Sequence, residues 1–228
     1  MSRRIVVFDA YGTLFDISAA ARRAAGEPGG EPLRDNWQAL ATLWREKQLS
    51  YSWLRAITGA HTDFWHVTCD ALDFALETMG LSGNALRSRL LQLYRELDAY
   101  PEVPAMLGEL KAQDHQTAIL SNGSPEMLLA AITSAGVGSH LDAVLSVEDA
   151  GVFKPDARVY DLVGQHFGCS ASDVLFVSSN GWDAASATGY GFTSAWVNRT
   201  GQPCDRLPWT PTHTLTDLAL LPELAGTL

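Results

Sequence analysis

Cysteine, basic charge and long apolar runs are all scarce in this sequence of 228 residues. The three cysteines are far apart and in no CxxC spacing, which excludes a disulfide framework and the usual zinc motifs. The net charge of −10 argues against a nucleic-acid partner, because a phosphate-binding surface needs clustered Lys and Arg. No apolar stretch approaches the ~20 residues that span a bilayer. We therefore expect a soluble cytoplasmic protein with no nucleic-acid or membrane partner.

The apolar runs that are present have the length of buried parallel strands. Four of them lead into polar or glycine-containing sequence, at Ile5–Phe8, Thr117–Leu120, Val174–Val177 and Phe192–Val197. Helical patterns lie between them at Pro125–Thr133 and Asp156–Phe167. Ser124 before Pro125 fits an N-cap, and Thr216 with Asp217 predicts the start of a last helix. This alternation predicts an α/β fold with a doubly wound parallel sheet.

The alternation stops between residues 17 and 97, where the sequence is helical throughout. Apolar residues recur there at three- and four-residue steps, as the core faces of amphipathic helices do. The stripes are Trp37, Leu40 and Trp44; Phe64, Ala71, Leu72, Ala75 and Met79; and Leu86, Leu90, Leu93 and Leu97. A Gly/Pro-rich loop is expected at Gly26–Arg34. We therefore expect a core built from residues 1–16 and 98–228, with a helical subdomain at 17–97 inserted after the first strand.

Polar side chains follow the predicted strands. Asp9, Tyr11 and Thr13 follow the first strand, Ser121 and Asn122 the second, and Ser178, Ser179, Asn180 and Asp183 the third, while Lys154 precedes a helix. The ligand crevice of an open parallel sheet lies beyond the carboxyl ends of its strands. Any one group is compatible with turn or cap chemistry. The four groups together, at one sheet edge, predict a single site.

The order of these groups resembles the haloacid dehalogenase superfamily, and its details resemble the L-2-haloacid dehalogenases. The stretches that carry the resemblance are FDAYGTLFD, LWREKQLSYSWLR, AILSNGSP, VFKPDARVY and FVSSNGWDA. It covers almost the whole chain, apart from residues 26–34 and the far C-terminus. The resemblance implies a Rossmann-like core, a helical cap, an aspartate nucleophile and a homodimer.

Two positions depart from the phosphatases that dominate this superfamily. Those enzymes carry an acid two residues after the nucleophile, where this chain has Tyr11, and a further metal-binding carboxylate at the position of Ser179. Asp9 and Asp183 alone offer few oxygen ligands for a hard cation, which prefers several. A halide leaves without a proton, and a haloacid carries only one negative charge. Both departures therefore fit a dehalogenase that needs no metal or other cofactor.

The implied reaction is hydrolytic dehalogenation of L-2-haloalkanoic acids to D-2-hydroxyalkanoic acids and halide. Asp9 attacks C2 from the face opposite the halogen, which inverts that carbon and forms an aspartyl ester. Lys154 keeps the Asp9 carboxylate charged and oriented, and Thr13 hydrogen-bonds it or its turn. Water then attacks the ester carbonyl. The partners expected are thus a small 2-haloacid and the released halide.

The resemblance also assigns residues to each part of the substrate. The halide seat comprises Arg45, Asn122, Phe64 and Trp182, and Glu46 is left out because relatives carry glutamine there. The substrate carboxylate meets the Ser121 hydroxyl and backbone N–H groups near Ala10, Tyr11 and Asn122. Asp183 orients or activates the hydrolytic water, with Ser178, Asn180 and Tyr160 supporting the polar network.

Two alternative functions remain open on the sequence. The first is a Mg²⁺-dependent small-molecule phosphatase of the same fold. The second is a non-catalytic α/β domain that binds a partner through its helical insertion, in which case the converging polar residues have no chemical role.

Overall fold

Six strands form one parallel sheet in a computed structural model that describes residues 4–81 and 83–228. In chain order they are β1 (Ile5–Phe8), β2 (Gln116–Ser121), β3 (Ala143–Ser146), β4 (Val174–Ser178), β5 (Thr193–Val197) and β6 (His213–Leu215). The order across the sheet is β3-β2-β1-β4-β5-β6. The strand order reverses at β1, which lies between β2 and β4. Such a switch point opens a crevice at the carboxyl ends of its strands.

Helices cover the sheet and fill the long connection between β1 and β2. They are α1 (Ala19–Gly26), α2 (Trp37–Thr58), α3 (Phe64–Thr78), α4 (Asn84–Arg95), α5 (Val103–Ala112), α6 (Pro125–Ala135), α7 (Ala157–Phe167), α8 (Gly181–Tyr190) and α9 (Leu221–Thr227). Short 3₁₀ helices occur at Glu31–Leu33, Gly138–His140, Val147–Asp149 and Ala171–Asp173. The sheet and helices together form the doubly wound α/β architecture predicted from the sequence.

Local sequence explains where these elements begin and end. All four residues of β1 are buried, as expected for a strand covered on both faces. At α6 the Ser124 side chain accepts a hydrogen bond from the Met127 backbone N–H at 3.4 Å, and Pro125 occupies the first turn. The helix ends at Gly136, whose φ of 67° is open to glycine at little cost. The predicted N-cap at Ser124 is therefore confirmed.

Helices α1–α4 pack on one another through the apolar stripes seen in the sequence. Helix α2 lies along α3, and α1 lies along α4. Leu40, Trp44, Ala71, Leu72 and Leu90 are all buried. The Trp44 indole Nε1 donates to the Thr68 carbonyl oxygen at 2.9 Å, which ties α2 to α3. In consequence α2 packs on α3 and has one face toward the sheet crevice.

Two edge strands were not predicted, and one helix start was wrong. β3 and β6 are only four and three residues long and partly exposed, so their apolar signal is weak. The last helix begins at Leu221 instead of near Thr216. Asp217 uses its Oδ1 to accept the Ala219 backbone N–H, and so closes a turn ahead of the helix. In the described parts of the chain, no helix is both long and apolar enough to cross a membrane.

Candidate active site

The carboxyl ends of β1, β2 and β4 bring the predicted site residues together. Phe8, the last residue of β1, pairs with Ile119 on one side and Val177 on the other. Asp9 continues the ladder by donating its backbone N–H to the Val177 carbonyl at 2.9 Å. Residues 121–122 and 178–180 therefore emerge beside Asp9. The register of the sheet therefore brings these polar residues together, as the sequence predicted.

The Asp9 carboxylate is buried, with 6% relative exposure, and it accepts three hydrogen bonds. Thr13 Oγ1 donates to Oδ2 at 3.0 Å, and Asn180 Nδ2 donates to the same oxygen at 3.0 Å. Lys154 Nζ donates to Oδ1 at 3.3 Å. Both neutral donors bind Oδ2, while Oδ1 accepts a hydrogen bond from the Lys154 ammonium. These hydrogen bonds fix the orientation of the carboxylate.

A chain of buried charges lies behind this carboxylate. Lys154 Nζ also donates to Asp183 Oδ2 at 2.9 Å, and the Tyr160 hydroxyl donates to Asp183 Oδ1 at 2.7 Å. Burial, only partly offset by Lys154, raises the pKa of Asp183. Burial and the adjacent Asp183 carboxylate raise the pKa of Tyr160 well above its usual value, so the phenol stays a neutral donor. Both Asp183 oxygens are thus occupied by protein donors.

This donor set suits an ammonium better than a divalent metal. Lys154 Nζ stands between the Asp9 and Asp183 carboxylates, which is where a bridging cation would bind them. Across residues 4–81 and 83–228, no cluster of three or more His, Cys, Asp or Glu side chains has the arrangement of a metal site. The fixed positive charge of Lys154 therefore compensates the two carboxylates.

Ser179 lies in the site, as the converging polar groups predicted, but its contact with Thr13 was not predicted. Its backbone N–H donates to Thr13 Oγ1 at 2.8 Å, and its Oγ lies 3.2 Å from the same oxygen. Gly12, with φ at 91°, makes the turn that brings Thr13 back under Asp9, and a Cβ there would lie 3.1 Å from Ser179 Oγ. The sequence feature that pointed to this contact was the position of Ser179, directly after β4.

Arg45 reaches the crevice from α2. Its Nη2 donates to the Asn180 side-chain oxygen at 3.3 Å and to the Tyr11 carbonyl at 3.4 Å. Its Nη1 donates to Gln48 Oε1 at 2.8 Å. These acceptors are all neutral, so the guanidinium retains its attraction for an anion.

Gln48 and Tyr94 support Arg45 and were not identified from the sequence. Gln48 Nε2 donates to Thr68 Oγ1 at 2.7 Å and to the Tyr94 hydroxyl at 3.1 Å. The Tyr94 ring stacks on Tyr11 with centroids 5.7 Å apart. Gln48 is three residues after Arg45 and so shares its helix face, which is the signal that could have revealed it.

A small cavity lies between Asp9 and α2. Its walls are Asp9, Tyr11, Arg45, Leu49, Phe64, Ser121, Asn122, Lys154, Asn180 and Trp182. Every one of these except Leu49 was a predicted site residue. Leu49 follows Arg45 by four residues, again on the same face of α2. Glu46, on another face, is exposed and does not line the cavity.

The remaining predicted residues lie behind the cavity wall. They are Ala10, Thr13, Tyr160, Ser178 and Asp183. The Ala10 carbonyl accepts the Leu14 backbone N–H at 2.9 Å and so shapes the turn after Asp9. Ser178 Oγ accepts the Asn180 backbone N–H at 3.1 Å. Thr13, Ser178 and Asp183 therefore bond directly to residues that line the cavity, and Tyr160 bonds to Asp183.

Two polar residues of the cavity wall are held by backbone groups. Ser121 Oγ accepts the Gly123 backbone N–H at 3.1 Å. Asn122 Oδ1 accepts the Lys154 backbone N–H at 3.0 Å, which links the loop after β2 to the loop that carries the lysine. A Cβ on Gly123 would come within 2.7 Å of the Tyr11 ring. Glycine is therefore required for Tyr11 to pack against this loop.

Comparison with known proteins identifies the family. Residues 3–191 match the model of the haloacid dehalogenase-like hydrolases. The chain is 43% identical over 222 residues to (S)-2-haloacid dehalogenase 1 of Pseudomonas sp. (strain CBS-3), covering 97% of this chain and 96% of that one. It is 43% identical over 203 residues to (S)-2-haloacid dehalogenase 4A of Burkholderia cepacia, covering 89% and 86%.

A solved structure shares the whole architecture. The L-2-haloacid dehalogenase from Xanthobacter autotrophicus, with chloropropionic acid covalently bound, matches with a TM-score of 0.87 and 36% identity over all of both chains. Sequence and fold agree. The chain belongs to the haloacid dehalogenase-like hydrolase family.

Proposed function

We propose that this protein hydrolyses L-2-haloalkanoic acids to D-2-hydroxyalkanoic acids and halide, through an aspartyl ester and without a metal. The observation that carries the proposal is the Asp9 carboxylate, held by Lys154 at 3.3 Å inside a cavity that Arg45 also enters. The names of the relatives support the same reaction. An attacking carboxylate and an anion-binding guanidinium in one small cavity are what this displacement needs.

In the first step Asp9 displaces the halide from C2 with inversion. Arg45, Asn122, Phe64 and Trp182 form the halide seat, with the charge supplied by Arg45. The substrate carboxylate binds the Ser121 hydroxyl and backbone N–H groups near Ala10, Tyr11 and Asn122. Holding the nucleophile and carbon in line supplies roughly 7–11 kcal/mol of the barrier. Stabilisation of the departing anion supplies much of the rest.

In the second step water attacks the carbonyl carbon of the Asp9 ester. Asp183 orients and activates this water, with Ser178 and Asn180 positioning it and Tyr160 supporting the carboxylate. Burial raises the pKa of Asp183, which is the direction that favours a proton acceptor. Lys154 stabilises the Asp9 carboxylate that is regenerated when the ester breaks.

Residues 17–97 act as a cap over a core formed by residues 1–16 and 98–228. The cap contributes Arg45, Leu49 and Phe64 to the cavity, so its closure excludes water while the ester forms. We further propose that the protein works as a homodimer in the cytoplasm. Its three cysteines, which are free thiols in the described structure, suit a reducing compartment.

The two alternative functions, a phosphatase and a non-catalytic domain, account for fewer of these structural features. In a phosphatase, Tyr11 gives no acid for the leaving alkoxide and Ser179 no metal-binding carboxylate, and Lys154 already bridges Asp9 and Asp183. In a non-catalytic domain, burying the charged groups of Asp9, Lys154 and Asp183 would cost free energy and serve no chemical purpose.

Halide release separates these functions. We expect the purified protein to liberate chloride from L-2-chloropropionate at the same rate with and without a chelator. The matched assay follows phosphate release from an aryl phosphate with added Mg²⁺. Phosphate release that a chelator abolishes, without any chloride release, would replace this proposal by the phosphatase. Loss of chloride release in Asp9→Asn, with an unchanged circular dichroism spectrum, would exclude the non-catalytic domain.

A further inference from the structure

A second hollow, larger and more apolar, adjoins the Asp9 cavity. Its volume is about 600 Å³, and it is lined by Trp53, Ala56, Ile57, Pro155, Asp156, Trp182, Ser186 and Leu207. We call it the apolar groove. Two of its members are unusually exposed for large aliphatic side chains, Ile57 at 81% and Leu207 at 41%. The groove therefore opens to solvent at one end.

The apolar groove continues the cavity along the same structural elements. Helix α2 contributes Arg45 and Leu49 to the cavity and Trp53 to the groove, in steps of four residues along one face. On the core side, Lys154 lines the cavity and the next residue, Pro155, lines the groove. Trp182 belongs to both walls. The two hollows are therefore neighbours that share one wall residue.

Two tryptophans form the boundary between these hollows. The rings of Trp53 and Trp182 meet edge to face, with centroids 5.4 Å apart and planes at 88°. Both indole Nε1 atoms are buried without a hydrogen-bond acceptor among the described residues. The pair is therefore held by packing alone, and shortening Trp53 leaves no hydrogen-bond acceptor unpaired.

The chemistry of the apolar groove fits an alkyl chain. Its charged side chain, Asp156, is already paired with Arg158 at 2.8 Å. The Ser186 hydroxyl donates to the Trp182 carbonyl at 2.7 Å. No unpaired charge in the described lining is available to bind a carboxylate or a phosphate. The polar head of a substrate therefore belongs beside Asp9 and Arg45, and an apolar tail is the complementary occupant of the groove.

We propose that Trp53 sets the maximum chain length of the substrate, and that the apolar groove receives the alkyl tail of a 2-haloacid when Trp53 is reduced in size. This inference rests on the proposed dehalogenase function and adds its substrate range. In the protein as it stands, the small cavity beside Asp9 takes short acids, and the Trp53–Trp182 boundary stops a longer tail. Trp53 acts by shape alone and contacts none of the reacting atoms.

The test compares two substrates on three proteins. Bromide release is measured from L-2-bromopropionate and L-2-bromohexanoate with the wild type, Trp53→Ala and Trp53→Phe. Each methylene moved from water into an apolar site is worth about fourfold in binding. We expect Trp53→Ala to raise the ratio of kcat/KM for the hexanoate to that for the propionate by at least about tenfold. Trp53→Phe, which keeps a ring, should raise it less.

A double variant checks that the tail occupies the apolar groove. Adding Ile57→Asp to Trp53→Ala introduces a charge into the groove and should return the ratio toward the wild-type value. Because the readout is a ratio within one protein, partial loss of folded enzyme leaves it unchanged.

The possible outcomes distinguish a failure of this inference from a failure of the proposed function. If the wild type releases no bromide from either acid, the proposed function fails. If the wild type is active but Trp53→Ala changes the ratio by less than twofold, Trp53 does not limit chain length. A gain that survives Ile57→Asp would mean that the tail lies elsewhere, and dissociation of a dimer by Ile57→Asp alone would assign the groove to a second copy of this chain. Either result would overturn the proposal.

Discussion

The ammonium of Lys154 lies 3.3 Å from the carboxylate of Asp9, and both side chains are almost completely buried. The same ammonium lies 2.9 Å from Asp183, so one positive charge serves two carboxylates. A buried ion pair is a poor source of stability, because desolvation offsets most of its attraction. In the proposed reaction its value is functional, since it orients the nucleophile in the cavity.

Replacing Lys154 by Met should abolish turnover and destabilise the fold. Met has a similar length but no charge, so Asp9 and Asp183 would be left buried without compensation. We expect loss of about 3–5 kcal/mol from the free energy of unfolding, measured by urea denaturation. Lys111→Met is the matched control, because the Lys111–Asp142 pair is about one-third exposed. That control should cost less than ~1 kcal/mol and retain activity. An active Lys154→Met would contradict the assigned role.

Replacing Arg45 by Ala should slow halide departure. Removing one donor from a developing anion costs about 3 kcal/mol, or roughly a hundredfold in kcat. Bromide release from L-2-bromopropionate under saturating substrate measures the effect. Arg55→Ala, on the same helix but in an exposed pair with Asp70, is the control and should leave kcat unchanged. If the rate of Arg45→Ala falls less than tenfold, the halide seat lies elsewhere.

Gln48 should act through Arg45. Its Oε1 accepts from Arg45 Nη1 at 2.8 Å, while its Nε2 is anchored by Thr68 and Tyr94. We expect Gln48→Met to lower kcat by about tenfold, because loss of one hydrogen bond to a charged group costs roughly 1.5–3 kcal/mol. Inhibition by added bromide should weaken in parallel. A stability loss with unchanged kcat and unchanged bromide inhibition would make Gln48 purely structural.

Alkaline pH should destabilise the protein through its buried tyrosines. Burial raises the pKa of Tyr11, Tyr94 and Tyr160, with nearby Asp9 or Asp183 acting in the same direction. These phenols stay protonated in the folded state while unfolded tyrosines ionise near pH 10, so the unfolded state binds fewer protons. The stabilisation is complete below about pH 10 and is lost above it.

The slope of that loss reports the number of tyrosines. Each contributes about 1.4 kcal/mol per pH unit to the decline in the free energy of unfolding. Urea titrations at a series of alkaline pH values measure it. Tyr94→Phe should reduce the slope by one such contribution. A slope that does not change in Tyr94→Phe would show that Tyr94 ionises alike in both states.

The sequence predicted the parts of the fold that are uniformly buried or strongly periodic. β1 was predicted to the residue because all four of its positions face apolar neighbours. β3 and β6 were missed because short edge strands lack that pattern. The false helix start at Thr216 arose because a residue that closes a turn looks like one that caps a helix.

The candidate site was predicted where side chains follow strands or lie in a family motif. Gln48, Leu49 and Tyr94 were missed for a common physical reason. Their contacts depend on which helix face turns toward the crevice, and Tyr94 lies on α4, far along the chain from Asp9. Tertiary packing sets such contacts, and local sequence does not encode them.

The route of oxygen tests the central claim that Asp9 forms a covalent ester. The enzyme, in excess over L-2-bromopropionate, completes a single turnover in H₂¹⁸O and is then digested for peptide mass analysis. Because water attacks the ester carbonyl, we predict that the heavy oxygen enters the peptide containing Asp9, while the hydroxy acid product carries ordinary oxygen. Heavy oxygen found only in the product would mean that water attacks C2 directly, and would contradict the account.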